Sequence, residues 1–428
     1  MFKYFILISY IFIYLFYIIH QIAPLLFKIR SFSFPLSFFT TGIILYISFK
    51  NRKNLNKTFL SLYTFSLIFL LSFSIYKEVH FNRIKQNILN SNSKDIQRIG
   101  QHIIAGFTSW KEVTQLSNKG YIGGIFITSR NVKNLSIDEV RQNIFSLQNV
   151  RKQNGLPPLL VSTDQEGGGV SRLSPPLLLQ KTIGDSLTNS EKMESEIVKE
   201  FVEIQSGELK KIGVNINFSP VVDIYSKKSD FMDLHTQIWK RSIDTNPLKV
   251  SRVGLLYSNF YSDNRILSTY KHFPGIGKID TDTHFFTAEI NTEIGTLMKT
   301  DLVPFIDFIN SDINGLIMLS HTKLTKIDAI YPCSFSEKII NSFLRNNLNY
   351  KGILITDDLN MGPTYYYGIG RASLLSLNAG VDLLLIAYDK DQVYYVINFL
   401  LKHKDLLSNE KLSQSKNRLE NIFNFLSE

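Results

Sequence analysis

The stretch Gly352-Ile-Leu-Ile-Thr-Asp-Asp-Leu-Asn-Met361 runs uncharged through Thr356 and then stops on two adjacent carboxylates. Such a near-continuous apolar run marks a strand covered on both faces, since a half-exposed strand would alternate with polar residues. Neighbouring residues at a strand end face opposite ways, so one of Asp357 and Asp358 points into a central mouth. That one is a candidate nucleophile or base. The other caps the following segment or holds its neighbour in place; a helix N-cap accounts for one aspartate but not for two.

Working outward, the same texture recurs at His102–Phe107, Gly123–Thr128, Pro158–Thr163, Val214–Val222, Ile266–His272, Leu316–His321 and Val381–Ala387. With Gly352–Thr356 that makes eight strands, most of them bounded by Gly, Pro or Asn. Amphipathic stretches lie between them: Ser136–Gln153, opened by the capping box Ser136-Ile-Asp-Glu139, then Ser190–Lys211, Glu293–Asn310 and Ser336–Asn346. Gln392–His403 and Asn409–Leu426 follow the last strand. Eight strands alternating with helices predict an α/β fold of the (β/α)8 TIM-type barrel class. A doubly wound open sheet is the alternative, but it needs a glycine-rich phosphate turn after its first strand, and Gly106-Phe-Thr-Ser is not one. In a barrel the chemistry collects where strands end. Here Asp164, Asp223, Lys271-His272, His321 and Asp357-Asp358 finish five of the eight, which predicts a polar pocket on one rim.

Two further segments carry candidate chemistry. In Lys271-His-Phe-Pro-Gly-Ile-Gly-Lys-Ile-Asp-Thr-Asp-Thr-His284 a strand delivers Lys271 and His272, and Pro274, Gly275 and Gly277 then shape a tight loop. Asp282 and His284 stand two apart and so face the same way in extended backbone, letting the carboxylate orient the imidazole for acid–base work. Taken alone, Asp-x-His also suits a surface loop with incidental polar residues. In Val161-Ser-Thr-Asp-Gln-Glu-Gly-Gly-Gly-Val-Ser-Arg172, three glycines let backbone approach a ligand closely. Asp164 and Glu166 would repel a phosphate, so acids with Arg172 suit polyol or amide recognition better. No metal-ligand spacing occurs, and neither a metal nor another cofactor is expected.

The chain has 428 residues, one cysteine and a net charge of +10. That excludes a disulfide scaffold and a disordered chain, and Cys333 alone supports neither a bridge nor a cysteine metal site. Residues 1–99 hold twelve of the 47 Lys/Arg and only two acids, Glu78 and Asp95, so the remainder is neutral. The basic excess lies between uncharged apolar runs, Tyr4–Phe27, Ser31–Phe49 and Thr58–Tyr76, as membrane-flanking charge does, and no nucleic-acid partner is expected. The reading is a transmembrane anchor of two to three helices at residues 1–78, a linker at 79–98 and the barrel at 99–428. It implies a multi-pass N-terminus in a lipid bilayer. The cluster Lys50–Lys57, placed inside, puts the catalytic domain outside the cytoplasm.

At the residues above, the chain resembles the single-barrel bacterial β-N-acetylglucosaminidases of glycoside hydrolase family 3. That family carries D-Q-E-G-G-R-V-x-R, matched by Asp164-Gln-Glu-Gly-Gly-Gly-Val-Ser-Arg172. Its K-H-F-P-G-H-G…D-[ST]-H is matched by Lys271-His-Phe-Pro-Gly-Ile-Gly…Asp282-Thr-His284, and its [ST]-D-D/A-L-x-M by Thr356-Asp-Asp-Leu-Asn-Met361. Asn217-Phe-Ser-Pro-Val-Val-Asp223, Lys240-Arg-Ser242 and Ala379-Gly-Val-Asp382 are weaker matches. The similarity spans about Gly100 to Ala387 and leaves out the first hundred residues.

The resemblance implies a retaining β-N-acetylhexosaminidase acting on terminal N-acetylglucosamine of peptidoglycan-derived glycans. Asp357 would be the nucleophile, His284 the acid/base and Asp282 its partner. Asp164, Arg172, Arg241, Lys271 and His272 would hold the sugar ring. Larger members take their acid/base from an extra domain; residues 388–428 leave room for two helices, so the proton donor is expected from the barrel itself. Ile276 replaces a loop histidine and Gly169 an arginine, which bears on substrate preference. A same-family β-glucosidase or xylosidase and an inactive membrane-anchored sugar-binding protein remain as alternatives.

Overall fold

The computed structural model describes residues 57–188, 191–226, 236–279 and 282–427, with isolated residues between 39 and 50. The chain divides into two compact units, Met1–Ser91 and Asn92–Glu428. In the first, one helix, Lys57–Asn90, takes up the apolar run Thr58–Tyr76. Hydroxyl-bearing Ser61, Thr64, Ser66, Ser72 and Ser74 interrupt that run, and the helix continues without a break into Lys77, Glu78, His80, Arg83 and Lys85. Among the described residues no helix is long and apolar enough to cross a membrane. This corrects the expected membrane segment of two to three transmembrane helices. The bilayer partner and the multi-pass, extracytoplasmic placement deduced from it go with it. The run at 4–27 and most of that at 31–49 lie outside the described residues.

The second unit is built on eight parallel strands: β1 (Ile103–Gly106), β2 (Gly124–Phe126), β3 (Leu160–Thr163), β4 (Ile216–Asn217), β5 (Ser268–Phe273), β6 (Gly315–Leu319), β7 (Ile353–Thr356) and β8 (Leu384–Ile386). Consecutive strands pair throughout, with β4 meeting β5 at Ile216 and Leu267 and β7 meeting β8 at Ile355 and Leu383. β8 also pairs with β1, Ile104 opposite Leu385, so the sheet closes into a barrel. The expected strand over 214–222 shrinks to the two residues of β4. Pro220 has no N–H to give a ladder, and pairing resumes only as the single bridge Val221–Lys271.

The barrel interior is a packed core rather than a channel. Ile104, Phe126, Leu160, Phe218, Leu316, Met318, Ile355 and Leu385 pack together inside it, and Phe126 and Phe218 stack at 5.6 Å. The final helix, Asn409–Ser427, adds Leu419, Ile422 and Phe425 to this cluster. Arg418 on that helix bonds Asp382, just ahead of β8, which places the helix across the end of the barrel where the strands begin.

The surrounding helices start where local chemistry stops the backbone N–H groups being orphaned. Ile137–Gln153 begins on the expected reciprocal cap: Ser136 accepts from the Glu139 N–H and Glu139 accepts from the Ser136 N–H. The stretch 293–310 forms two short helices, Ile294–Leu297 and Val303–Ile309, rather than one. Pro304 is tolerated only in a first turn, so the helix restarts there, and the interruption turns Asp301 inward to meet Lys278 at 2.6 Å.

Candidate active site

The loops leaving the C-terminal ends of the strands surround an open cleft. Phe126, Met318 and Leu385 reach it from the core, and its walls include Asp164, Arg172, Arg241, Lys271, His272, His284, Asp357 and Tyr388. Strand-end position explains the polarity: the barrel interior satisfies apolar side chains, while the first residues beyond each ladder meet water.

One wall is an ion cluster. Lys271, at the end of β5 and 2% exposed, donates to Asp164 at 2.7 Å and to Glu166 at 2.6 Å. Arg241 grips both oxygens of Glu166, at 2.8 and 2.7 Å, and donates to the Thr236 carbonyl at 3.1 Å. Burial alone would raise the Glu166 carboxyl, but Arg241 and Lys271 outweigh it and hold it far below the ordinary carboxylate range. The same pairing raises Arg241 against its own burial. Glu166 is therefore spent on fixing two cations whose remaining donors face the cleft.

A second group ties β4 to β5. The fully buried Asp223 accepts from the His272 imidazole Nδ1 at 2.7 Å, from its backbone N–H, and from the Ile276 N–H at 2.8 Å. The carboxylate thereby selects the His272 tautomer protonated on Nδ1 and points Nε2 away from itself. The Lys271–His272 peptide is cis.

Asp357 and Asp358 divide their work as the strand geometry requires. Asp358 is buried and accepts from the Asn360 and Ala387 N–H groups on one oxygen and from the Tyr388 N–H on the other, joining the ends of β7 and β8. Asp357 is half-buried, lines the cleft and accepts the Asp358 N–H at 2.7 Å. Burial pushes its carboxyl up, but the imidazoles of His272 and His321, the Asp358 N–H and the His284 imidazole more than reverse this, and it lies below its ordinary value. His321 donates from Nε2 to the Asp358 carbonyl at 3.0 Å and bonds Ser334 through Nδ1 at 2.7 Å. Burial lowers its pKa, and its two ring bonds fix it beneath the Asp357 side of the cleft.

Facing Asp357 is the loop after β5. Asp282 accepts from the His284 backbone N–H at 3.0 Å and holds imidazole Nδ1 at 2.9 Å; Asp282 is buried, His284 part-exposed in the cleft. The Thr236 hydroxyl donates to the same Asp282 oxygen at 3.2 Å. The loop is pinned from outside by Lys278–Asp301 and by the Gly362 N–H, which reaches the His284 carbonyl at 2.8 Å.

Asp164, Arg172, Arg241, Lys271, His272, His284 and Asp357 thus share one cleft, and Asp282 stands directly behind His284. Ile276 also lines the cleft, backed by Val221 and Ile238, so an apolar wall occupies that place. At Gly169 a side chain would meet nothing within 4 Å, so that position opens to space. Two members, Tyr388 and Thr236, carry no expectation from the sequence, and Glu166 enters there only as an acid beside Asp164 and Arg172. Glu166 follows Asp164 by two residues in extended chain, a spacing that signals a shared face. Tyr388, 3.5 Å from Arg172, stands two residues beyond β8, at a strand end as Asp164 does after β3. Thr236 carries no local signal; only tertiary proximity brings it to Asp282.

The chain is 30% identical over 338 residues to an uncharacterized secreted glycosyl hydrolase of Arthroderma benhamiae, covering 77% of this chain and 93% of that protein. It is 30% identical over 297 residues to a beta-hexosaminidase of Nitrosomonas eutropha, covering 67% and 80%. Its fold matches the structure of a glycoside hydrolase family 3 beta-N-acetylglucosaminidase from Paenibacillus with a TM-score of 0.69 and 26% identity, over 77% of this chain and 62% of that one. The closed barrel, the rim that gathers these side chains and a match over residues 96–422 to the glycosyl hydrolase family 3 N terminal domain agree: the chain belongs to glycoside hydrolase family 3.

Proposed function

We propose that this chain is a retaining β-N-acetylhexosaminidase that removes terminal N-acetylglucosamine from peptidoglycan-derived glycans. Family membership makes it a glycoside hydrolase, and its beta-hexosaminidase relatives support the N-acetylglucosaminyl specificity. The observation that carries the mechanism is the joint presence, in one cleft, of an ionised Asp357 and a carboxylate-anchored His284.

In the first step Asp357 attacks the anomeric carbon while the glycosidic C–O bond breaks, and His284 gives its proton to the departing oxygen. In the second, His284 takes a proton from water, whose oxygen attacks the anomeric carbon and releases Asp357. Most retaining glycosidases use a second carboxyl group for the proton. Here Asp282 holds Nδ1, leaving Nε2 for transfer, and stabilises the positive charge that the ring carries before it gives its proton and again after it takes one from water. The low-lying carboxyl of Asp357 suits a group that must be ionised while its neighbour is protonated. Asp164, Arg172, Arg241, Lys271 and His272 offer paired donors and acceptors to sugar hydroxyls, and the ion cluster orients them before substrate arrives.

The test is covalent trapping. A fluorinated N-acetylglucosaminide analogue should label the wild type at Asp357, and Asp357→Ala should abolish labelling with a rate loss on the order of 10⁴ or more. Wild-type labelling of that variant would refute the nucleophile.

A further inference from the structure

The loops after β5, β6 and β7, three adjacent strands, each leave a large apolar side chain in solvent. Phe286 is 58% exposed, Ile330 65% and Tyr366 83%. Single exposed apolar residues are ordinary, but three on neighbouring loops at the active end of a barrel are a candidate interaction surface. The segments that carry them, 284–288, 329–331 and 361–369, contain no Asp, Glu, Lys or Arg.

These loops are fastened to one another rather than loose. The Gly362 N–H bonds the His284 carbonyl, and the Tyr367 hydroxyl donates to the Ile330 carbonyl at 2.9 Å. Tyr367 packs its ring on Phe335 at 5.0 Å and beside Tyr331 at 5.9 Å. The Lys323 N–H meets the Ala288 carbonyl at 2.9 Å. The loops that carry these side chains also reach the cleft: His284 and Met361 line it, Phe286 is two residues beyond the first and Tyr366 five beyond the second. The Gly362–His284 bond sets two of these loops on the His284 side of the cleft.

That side has a chemical meaning. A general acid stands beside the glycosidic oxygen, so the leaving group extends past it while the sugar ring lies over the nucleophile. We propose that Phe286, Ile330 and Tyr366 form an aglycone-binding surface, and that beyond glycans the enzyme takes N-acetylglucosaminides whose leaving group carries an apolar alkyl or aryl portion. The inference rests on His284 being the acid/base. Uncharged rings and a branched alkyl group gain by covering apolar surface and have no charge to offer a carboxylate or phosphate.

Alkyl β-N-acetylglucosaminides from methyl to octyl test it, because their alkoxides differ little in basicity while their apolar area grows. Burying a methylene fully is worth roughly fourfold in binding, and an open surface should give about half that in free energy, near twofold per methylene in kcat/KM. The expected result is that rise in the wild type, a flat profile in the variant Phe286→Ser/Ile330→Ser/Tyr366→Ser, and an unchanged slope in Phe145→Ser, a control exposed on a peripheral helix. All the altered side chains are exposed, and a slope is not imitated by general loss of activity. A flat wild-type profile with intact turnover of the methyl glycoside overturns the aglycone surface alone, as does a slope that survives the triple variant. A disaccharide preference abolished by the triple variant, with no alkyl slope, also overturns it. Failure to hydrolyse any member of the series would instead remove the activity assignment beneath it.

Discussion

A single hydrogen bond to Asp282 Oδ1 links the ion cluster to the proposed proton donor. Thr236 donates its hydroxyl there and accepts from Arg241 through its carbonyl. Replacing it with valine keeps the shape and removes one hydrogen bond to a charged group, worth about 1.5–3 kcal/mol. Thr236→Val should lower kcat by roughly tenfold and move the alkaline limb of kcat/KM upward, because the less-solvated carboxylate holds imidazolium more firmly; Thr236→Ser should restore both. Asp282→Asn should move that limb the other way, since the imidazole loses its charge partner. Rate profiles from about pH 4 to 9 distinguish these from a merely structural loss. His284→Ala should slow poor leaving groups far more than activated phenolates, which depart without a proton. Equal slowing of all substrates would remove the histidine from the acid/base role. Because Asp357 is held below its ordinary value, the acid limb should fall below the usual carboxylate range of about 4.

At the scale of elements, the dyad is positioned by loops rather than by its own strand. Gly362 sits where an added Cβ would lie 2.2 Å from the Phe285 carbonyl oxygen, a backbone atom that cannot move aside without shifting the His284 turn. Gly362→Ala should therefore cut kcat by more than tenfold while far-ultraviolet circular dichroism stays native; an active variant would show that the turn tolerates displacement. Asp223 is the corresponding clamp between β4 and β5. Its removal leaves two backbone N–H groups and the His272 Nδ1–H buried without an acceptor. Asp223→Ala should cost about 3–5 kcal/mol in urea unfolding, the range for leaving a buried charged network half-made.

The whole molecule turns on the Asn92–Glu428 unit. The helix Lys94–Gly100 buries Ile96 and Ile99 and packs against Gln392–Lys402, so it belongs to the barrel's outer ring. A fragment beginning at residue 92 should fold and keep activity, whereas one beginning at residue 99 should melt several degrees lower through loss of Ile96 and of the helix that seats Ile99, by calorimetry. Equal melting temperatures would make the helix dispensable. Acid stability should follow Glu166. Its native pKa is depressed, so it stabilises the fold above its unfolded value of about 4.3, and that contribution fades as the pH falls towards the native value. Glu166→Gln should lower the melting temperature at pH 7 and flatten its fall between pH 5 and 3.

Eight near-continuous apolar runs, most bounded by Gly, Pro or Asn and five finished by titratable residues, determined the barrel, because covered strands admit few polar side chains. The pairs Asp282/His284 and Asp357/Asp358 were legible because two-residue periodicity fixes which neighbours share a face. The same periodicity could have found Glu166. Hydropathy misled in the first hundred residues, where a helix that begins apolar runs on into charge and no described helix suffices to cross a membrane. What only the tertiary structure decided is every contact made across loops: Thr236 on Asp282, Asp223 on His272, Gly362 on His284, and the apolar surface at Phe286, Ile330 and Tyr366. Those partners lie 2.7–3.2 Å apart across gaps of up to 78 residues, and no local pattern encodes a meeting set by how eight loops converge on one rim.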